Sequence, residues 1–143
     1  MVTLGDPLQS ALRAAGSGLH AQSRRINVVS ENIANAESTG RTPGADPYKR
    51  KTLSFDVELD GNSDVATVKA DEIGTDRAPF RIEHMPGHPA ADESGNVKLP
   101  NVDVLTELAD MREANRSYQA NLQVIKQARE MIAMTVDLLR GTS

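Results

Sequence analysis

Two histidines in the middle of the chain have a spacing that occurs in metal sites. His84 and His88 lie four residues apart, which on a helix would place both imidazoles on one face, and Asp92 and Glu93 follow closely. A Met-Pro-Gly sequence separates the histidines, and another proline follows His88, so a helix cannot hold the pair in that geometry. We therefore predict a structured turn at this point and no metal site.

The sequence offers no arrangement for covalent catalysis. Serines and threonines are plentiful, but none lies in a glycine elbow or next to a histidine and a carboxylate that the sequence would hold in place. There is no cysteine, which excludes disulfides, thiolate zinc sites and a cysteine nucleophile. We predict no catalytic residue and no cofactor; a small hydrolase that uses His88 with Asp92 is an alternative that lacks a nucleophile.

Composition and charge set further limits on function. The 143 residues suit one domain, and 16 basic against 20 acidic residues leave a net charge of -4. The only basic triplet, residues 49–51, has no aromatic stacking surface beside it, so we predict no nucleic-acid binding. Apolar runs are only a few residues long, which predicts neither insertion into a membrane nor a cleaved secretory signal.

Hydrophobic periodicity predicts a long helix at each end of the chain. From residue 6 to about residue 36, and again after Pro100 and the predicted cap Asn101, apolar positions recur alternately three and four apart, which is the pattern of a heptad repeat. The predicted seams are Leu12, Ala15, Leu19, Gln22, Ile26, Val29, Ile33 and Ala36 in the first helix, and Val104, Leu108, Met111, Asn115, Tyr118, Leu122, Ile125, Arg129, Ile132, Val136 and Leu139 in the second.

The segment between the helices contains nearly all the prolines and several strand-like stretches, at residues 52–59, 65–70 and 80–83. We predict a mainly α fold in which long antiparallel N- and C-terminal helices, within residues 1–36 and 101–143, form a coiled-coil-like hairpin. A small, irregular β-rich insertion occupies residues 37–100.

Both predicted helices are rich in side-chain amides, among them Asn32, Asn35, Asn115 and Asn121. A solvated polar face is one interpretation of this pattern. Amides mixed with small residues also suit interfaces at which helices from several chains exchange hydrogen bonds. Two long helices with narrow seams leave more surface than one chain of this size can cover, so we expect the protein to assemble.

The end of the first helix carries a recognisable motif, the quartet Asn32-Ile33-Ala34-Asn35. Together with Ser17-Gly18-Leu19 and the rest of residues 25–39, it resembles the N-terminal signature of flagellar rod, hook and related axial proteins. Residues 47–51, 86–95 and 100–102, with residues 110–121 in the last helix, narrow the resemblance to a rod protein of the basal body.

The resemblance implies a structural subunit of the proximal rod, which spans the periplasm and transmits torque from motor to hook. It implies export by the flagellar type III apparatus without a cleaved signal, no catalysis, and no cofactor. The terminal helices would pack into the inner tube of the rod and the insertion would face outward. Implied partners are other subunits of the proximal and distal rod and the motor-base adaptor, in a helical hetero-oligomeric assembly.

On the heptad pattern and this resemblance, we expect the seams and amides to contribute to subunit contacts. The expected interface residues are Leu19, Ile26, Val29, Asn32, Ile33, Asn35, Leu108, Asn115, Tyr118, Asn121, Leu122, Ile125 and Ile132. The alternative from the residues themselves is a cytoplasmic coiled-coil adaptor or regulator that binds a partner helix.

Overall fold

A computed structural model describes residues 5–61 and 65–141, without the side chains of residues 5, 6 and 60. Along the sequence, four strands lie between two long helices. The elements are α1 (Gly5–Ala34), β1 (Lys51–Asp60), β2 (Val65–Thr75), β3 (Arg81–His84), β4 (Asn96–Leu99) and α2 (Val104–Gly141).

The strands form two separate two-stranded sheets. β1 pairs with β2, and β3 pairs with β4 in an antiparallel register that runs from Arg81 opposite Leu99 to His84 opposite Asn96. Val97 and Leu99 of β4 are buried, whereas all of β3 is exposed. A single pair of strands has little core of its own, so each sheet depends on the elements that pack against it.

The chain forms two compact units, and α1, α2 and the β1–β2 sheet each contribute residues to both. The first unit contains the described parts of Met1–Arg24, Phe55–Asp71 and Glu113–Ser143, and the second contains Arg25–Ser54 and Glu72–Arg112.

The prediction of a mainly α, coiled-coil-like hairpin with an irregular insertion is wrong. The chain has two helices and two small antiparallel sheets. A coiled coil buries both positions of its seam, but in α2 the predicted seam residues Leu108, Leu122 and Ile132 are exposed, Leu108 by 47%.

The physical reason is that the covered face of α2 is offset from its predicted seam, and the covered face of α1 matches its predicted seam only in part. In α2 the better-covered residues stand one position before Leu108, Asn115, Leu122 and Arg129; they are Glu107, Ala114, Asn121 and Ala128. In α1 the predicted seam residues Ala15 and Val29 are buried, but Leu19, Gln22 and Ile33 are only half-buried. The residues just before these three, Gly18, Ala21 and Asn32, are buried. Small and polar residues therefore occupy faces that a hydrophobic pattern assigns to leucine and isoleucine.

The start of α2 also differs from the prediction. Asp103 caps the helix, since its Oδ1 accepts a hydrogen bond from Leu105 N at 3.1 Å and its Oδ2 accepts one from the Thr106 hydroxyl at 2.8 Å. Both hydrogen bonds lower the pKa of Asp103, and the one from Thr106 has the larger effect. Asn101, the predicted cap, instead accepts a hydrogen bond from Arg50 N at 2.8 Å.

Candidate functional site

A buried polar cluster lies in the second unit, where α1, β1 and α2 contact one another. Its members are Asn32 on α1, Tyr48 and Arg50 just before β1, Lys51 at the start of β1, and Glu107 on α2; we call it the Asn32 cluster. Asn32 is 1% exposed and Glu107 is fully buried. Buried polar groups are stable only when hydrogen-bonded, so the contacts of this cluster determine whether it holds the elements together.

Asn32 uses its full hydrogen-bonding capacity inside the chain. Its Nδ2 donates to Lys51 O at 2.9 Å and to Glu107 Oε2 at 3.1 Å, while its Oδ1 accepts from Lys51 N at 2.9 Å and from the Tyr48 hydroxyl at 2.8 Å. A carboxamide has two donor hydrogens and two acceptor lone pairs. The side chain thus binds the N–H and the C=O of one residue, as a neighbouring antiparallel strand would, and it fixes the start of β1 to α1.

Glu107 provides the negative charge of the cluster. Its Oε1 accepts from Arg50 Nε at 2.5 Å, and Arg50 also lies near Asp76, with 3.4 Å between Nη1 and Oδ2. Burial of the guanidinium acts to lower the pKa of Arg50, but the hydrogen bond and charge of Glu107, supported by Asp76, raise it overall. The buried carboxylate is therefore paired, as its burial requires.

Tyr48 stays protonated in this environment. Burial, together with the negative charges of Glu31 and Glu107, raises the pKa of Tyr48 to about 12. The hydroxyl consequently remains a hydrogen-bond donor to Asn32 across the neutral pH range.

Further polar contacts surround the cluster. Arg25 pairs with Asp110, and Asn32, later in α1, binds Glu107, earlier in α2. The α1 and α2 segments of the second unit therefore run in opposite directions. Asn101 Nδ2 donates to Ala78 O at 3.0 Å and to Asp76 O at 3.3 Å. Asn101, three residues before α2, thus holds the segment between the two sheets.

The two asparagines of the quartet at residues 32–35 have different structural roles. Asn32 is the centre of the cluster, whereas Asn35 follows the last residue of α1 and its Nδ2 donates to Glu31 O at 2.9 Å. That carbonyl also accepts from Asn35 N at 3.1 Å. Asn35 thus satisfies a carbonyl in the last turn of the helix, and the motif both ends α1 and connects it to β1.

The loop with the two histidines is a hydrogen-bonded turn. His88 Nδ1 accepts from Ala90 N at 3.1 Å, and Asp92 Oδ1 accepts from Ser94 N and from Asn96 N, both at 2.9 Å. Gly95 has a φ of 78°, which favours glycine, and a Cβ there would lie 2.9 Å from Pro86 Cβ. Among the residues that the structure describes, no group of three histidines or carboxylates is arranged as a metal site.

The structure places the predicted interface residues in three environments. Val29 and Asn32 are buried; Leu19, Ile26, Ile33, Asn35, Tyr118, Asn121 and Ile125 are half-buried; and Leu108, Asn115, Leu122 and Ile132 are exposed. Their role at subunit contacts stays a prediction. Only the residues of the last group are exposed enough to contact a partner without a change in this chain.

The end of α2 carries a larger exposed apolar surface than the sequence prediction included. Every described residue from 129 to 141 is exposed. We call the large apolar ones the α2 apolar end; they are Met131, Ile132, Met134, Val136, Leu138 and Leu139. Only Ile132 was among the expected interface residues, although the density of apolar residues from 131 to 139 was a signal in the sequence. None of the described helices has the length and hydropathy needed to cross a lipid bilayer.

Comparison with known proteins gives matches at both helices. A family model described as "Flagella basal body rod protein" matches residues 12–40, and one described as "Flagellar basal body rod FlgEFG protein C-terminal" matches residues 93–138. The first match contains the Asn32 quartet, and the second contains Glu107 and most of α2.

Relatives extend the similarity over nearly the whole chain. Flagellar basal-body rod protein FlgC of Agrobacterium fabrum is 61% identical over 137 residues, which cover 96% of this chain and 99% of that protein. FlgC of Salmonella typhimurium is 42% identical over 87% of this chain and 92% of that protein. FlgC of Borreliella burgdorferi is 34% identical over 94% of this chain and 99% of that protein.

These relatives are all rod proteins, which favours the rod over a cytoplasmic adaptor. Since the similarity spans both helices and the strands between them, the chain belongs to the FlgC family of flagellar basal-body rod proteins and is a structural subunit of the basal-body rod.

Proposed function

We propose that this protein builds the proximal rod by packing its two terminal helices against those of other rod subunits, with the α2 apolar end covered in the assembly. Contacts that join different surfaces of successive subunits continue as a helix and do not close into a ring. Such an assembly transmits torque from the motor to the hook when each subunit resists shear.

The exposure of the α2 apolar end carries this proposal. Leu138 is 71% exposed and Leu139 is 70% exposed, and Met131 and Met134 are exposed by 53% and 59%. A large exposed apolar patch marks an interaction surface. Burying one such side chain contributes about 1.5–3 kcal/mol, so a cover over several of them would stabilise a contact between subunits strongly.

The Asn32 cluster supports the mechanical part of the proposal. It joins α1, β1 and α2 of the second unit through hydrogen bonds and an ion pair whose directions are fixed. Directional contacts resist sliding of one element past another better than apolar packing alone, because a shift breaks several bonds at once. A subunit under torque benefits from such a connection.

The remaining features of the proposal rest on the resemblance to rod proteins. Residues 1–36 and 101–143 would form the rod core, and residues 37–100 would face outward; the exposure of β3 and of Val57 and Leu59 in β1 is compatible with that arrangement. The partners would be subunits of the proximal and distal rod and the motor-base adaptor. The chain would cross to the periplasmic part of the basal body through the flagellar type III export apparatus, and we expect it to have no enzymatic activity.

Thiol labelling tests whether the α2 apolar end is covered in the rod. Because the chain has no cysteine, Met134→Cys introduces a single thiol at an exposed position. We expect a maleimide reagent to modify this thiol in the free protein and to leave it unmodified in isolated basal bodies.

Glu93→Cys provides the matched control, since Glu93 lies in an exposed loop of the segment that we propose to face outward. Its thiol should react in both preparations. Equal labelling of Met134→Cys in the free protein and in basal bodies would contradict the proposed interface.

A further inference from the structure

We propose that Gly18 on α1 is a seat for the side chain of Asn121 on α2, and that this contact sets the register of the two helices in the first unit. The contact lies within one chain, so it stands or falls separately from the exposed surface proposed above. It assigns a positioning role to a glycine that would otherwise only weaken a helix.

The two residues are in close contact. Gly18 is buried, and a Cβ built on it would lie 2.8 Å from Asn121 Nδ2, 2.9 Å from Oδ1 and 3.0 Å from Cγ. Real Cβ atoms essentially never lie closer than 3.0 Å to another atom, so Nδ2 and Oδ1 would have to move. The whole carboxamide of Asn121 thus occupies the space that any side chain at position 18 would need.

The carboxamide is held in that place from its own helix. Asn121 Nδ2 donates to Ser117 O at 3.0 Å, one turn earlier in α2. A side chain at position 18 would have to push the amide out of its seat, with loss of this hydrogen bond and of the contact with α1.

The neighbouring glycine of α1 provides a contrast. Apart from the backbone of its own helix and its chain neighbours, no described atom lies within 4 Å of a Cβ built on Gly16. Both glycines carry the same cost in helix propensity, but only Gly18 has a partner that requires the absence of a side chain.

The fit of a side chain into the seat favours one register of α2 along α1 over others. A shift of α2 by one helical turn would bring Ser117 or Ile125 to Gly18 in place of Asn121. Serine is too small to fill the space that the carboxamide occupies, and isoleucine is too large. Of these three residues, only Asn121 fills the seat without a void or an overlap.

Three variants test this role in a strain that lacks its own copy of the protein, with basal bodies isolated and the amount of this subunit measured by immunoblotting. We expect Gly18→Ala to lower the amount incorporated by about tenfold or more, the effect of overpacking a filled site. Gly16→Ala should incorporate like the unchanged protein. Adding Asn121→Ala to Gly18→Ala removes the three atoms that overlap and should restore most of the incorporation.

Each outcome is informative, provided that whole-cell levels of the variants are compared on the same blot. If Gly18→Ala incorporates as well as Gly16→Ala, Gly18 is not a seat and the proposal is wrong. If Gly18→Ala fails and the double variant fails equally, the defect does not come from Asn121 and the proposal is again wrong. Recovery in the double variant supports the assigned contact, because loss of folding at position 18 for any other reason would persist.

Discussion

Glu107, near the start of α2, and Met134, near its end, each lie in the environment that would suit the other side chain. The carboxylate of Glu107 is fully buried and paired with Arg50 and Asn32, whereas the thioether of Met134 is mostly exposed. A sequence ranked by hydropathy alone would place them the other way round. At the first position the chain contains the partners that the carboxylate needs, and at the second the apolar side chain is 59% exposed.

This difference separates two sources of stability in one helix. The beginning of α2 is held by side chains of the same chain, and its contacts have fixed directions. The exposed end gains its stabilisation only when another surface removes it from water. We therefore expect changes at Glu107 to alter the stability of the free protein, and changes at the α2 apolar end to alter assembly.

The largest effect is expected from two charges in the α2 apolar end, Met131→Glu together with Met134→Glu. Glutamate preserves helix propensity, so the helix itself should persist. Burial of each methionine contributes about 1.5–3 kcal/mol, and a buried unpaired carboxylate adds a further penalty. We expect incorporation into isolated basal bodies to fall by more than about a hundredfold, with swimming in soft agar lost.

The free energy of unfolding of the free protein should be nearly unchanged in this double variant, as followed by circular dichroism in urea. Gln127→Glu, at an exposed polar position of the same helix, adds a charge outside the apolar surface and should incorporate normally. Normal swimming of the double variant would show that the α2 apolar end is not an interface.

A smaller effect, on the other side of the comparison, is expected for Glu107→Ala. It leaves the Arg50 guanidinium and one donor of Asn32 without their buried acceptor, and breaking a buried pair in this way typically costs about 3–5 kcal/mol. Urea denaturation of the free protein, followed by circular dichroism, measures the loss directly.

Glu130→Ala is the matched control, since it makes the same substitution at an exposed position of the same helix and should change the free energy of unfolding by less than about 0.5 kcal/mol. Glu107→Gln retains an acceptor for Asn32 and should fall between the two. If Glu107→Ala were as stable as Glu130→Ala, the start of α2 would not depend on its internal partners.

Periodicity predicted the presence of both helices and of strands between them, but not which helix faces are buried. The heptad pattern assigned Leu108 and Leu122 to a covered seam, whereas both are exposed and the buried positions of α2 include Ala114 and Ala128. Alanine has little effect on a hydrophobic pattern, yet it allows close packing of helices. β4 was missed because four residues, of which Val97 and Leu99 are buried, give too short an alternation to recognise.

The polar contacts were less predictable than the elements. The quartet at residues 32–35 marked Asn32 as important by resemblance, but its partners Lys51 and Glu107 are distant in sequence and meet it only in the fold. The cap Asp103 did leave a local signal, because a threonine three residues later can bond to its side chain. The prediction chose Asn101 as the cap because it follows Pro100. The side chain of Asn101 instead binds the segment between the sheets.

The smallest expected effect is the titration of Tyr48, which reports on the Asn32 cluster without disrupting it at neutral pH. With Tyr118→Phe as the background, Tyr48 is the only tyrosine in the chain, and ultraviolet absorbance of the phenolate follows its ionisation. We expect a midpoint near pH 12 in the folded protein, against the ordinary pKa of 10.0.

The direction of the stability change follows from this raised pKa. The folded state holds the phenol proton more tightly than the unfolded chain, so the contribution of Tyr48 is fully present below pH 10 and is lost as pH rises from 10 through about 12. Ionisation removes the hydrogen that the hydroxyl donates to Asn32 Oδ1 and places a third negative charge near Glu31 and Glu107. The same titration in concentrated denaturant should return the midpoint to about 10. A midpoint of 10 in the folded protein as well would mean that Tyr48 is solvated, and that the cluster is looser at the start of β1 than its hydrogen bonds indicate.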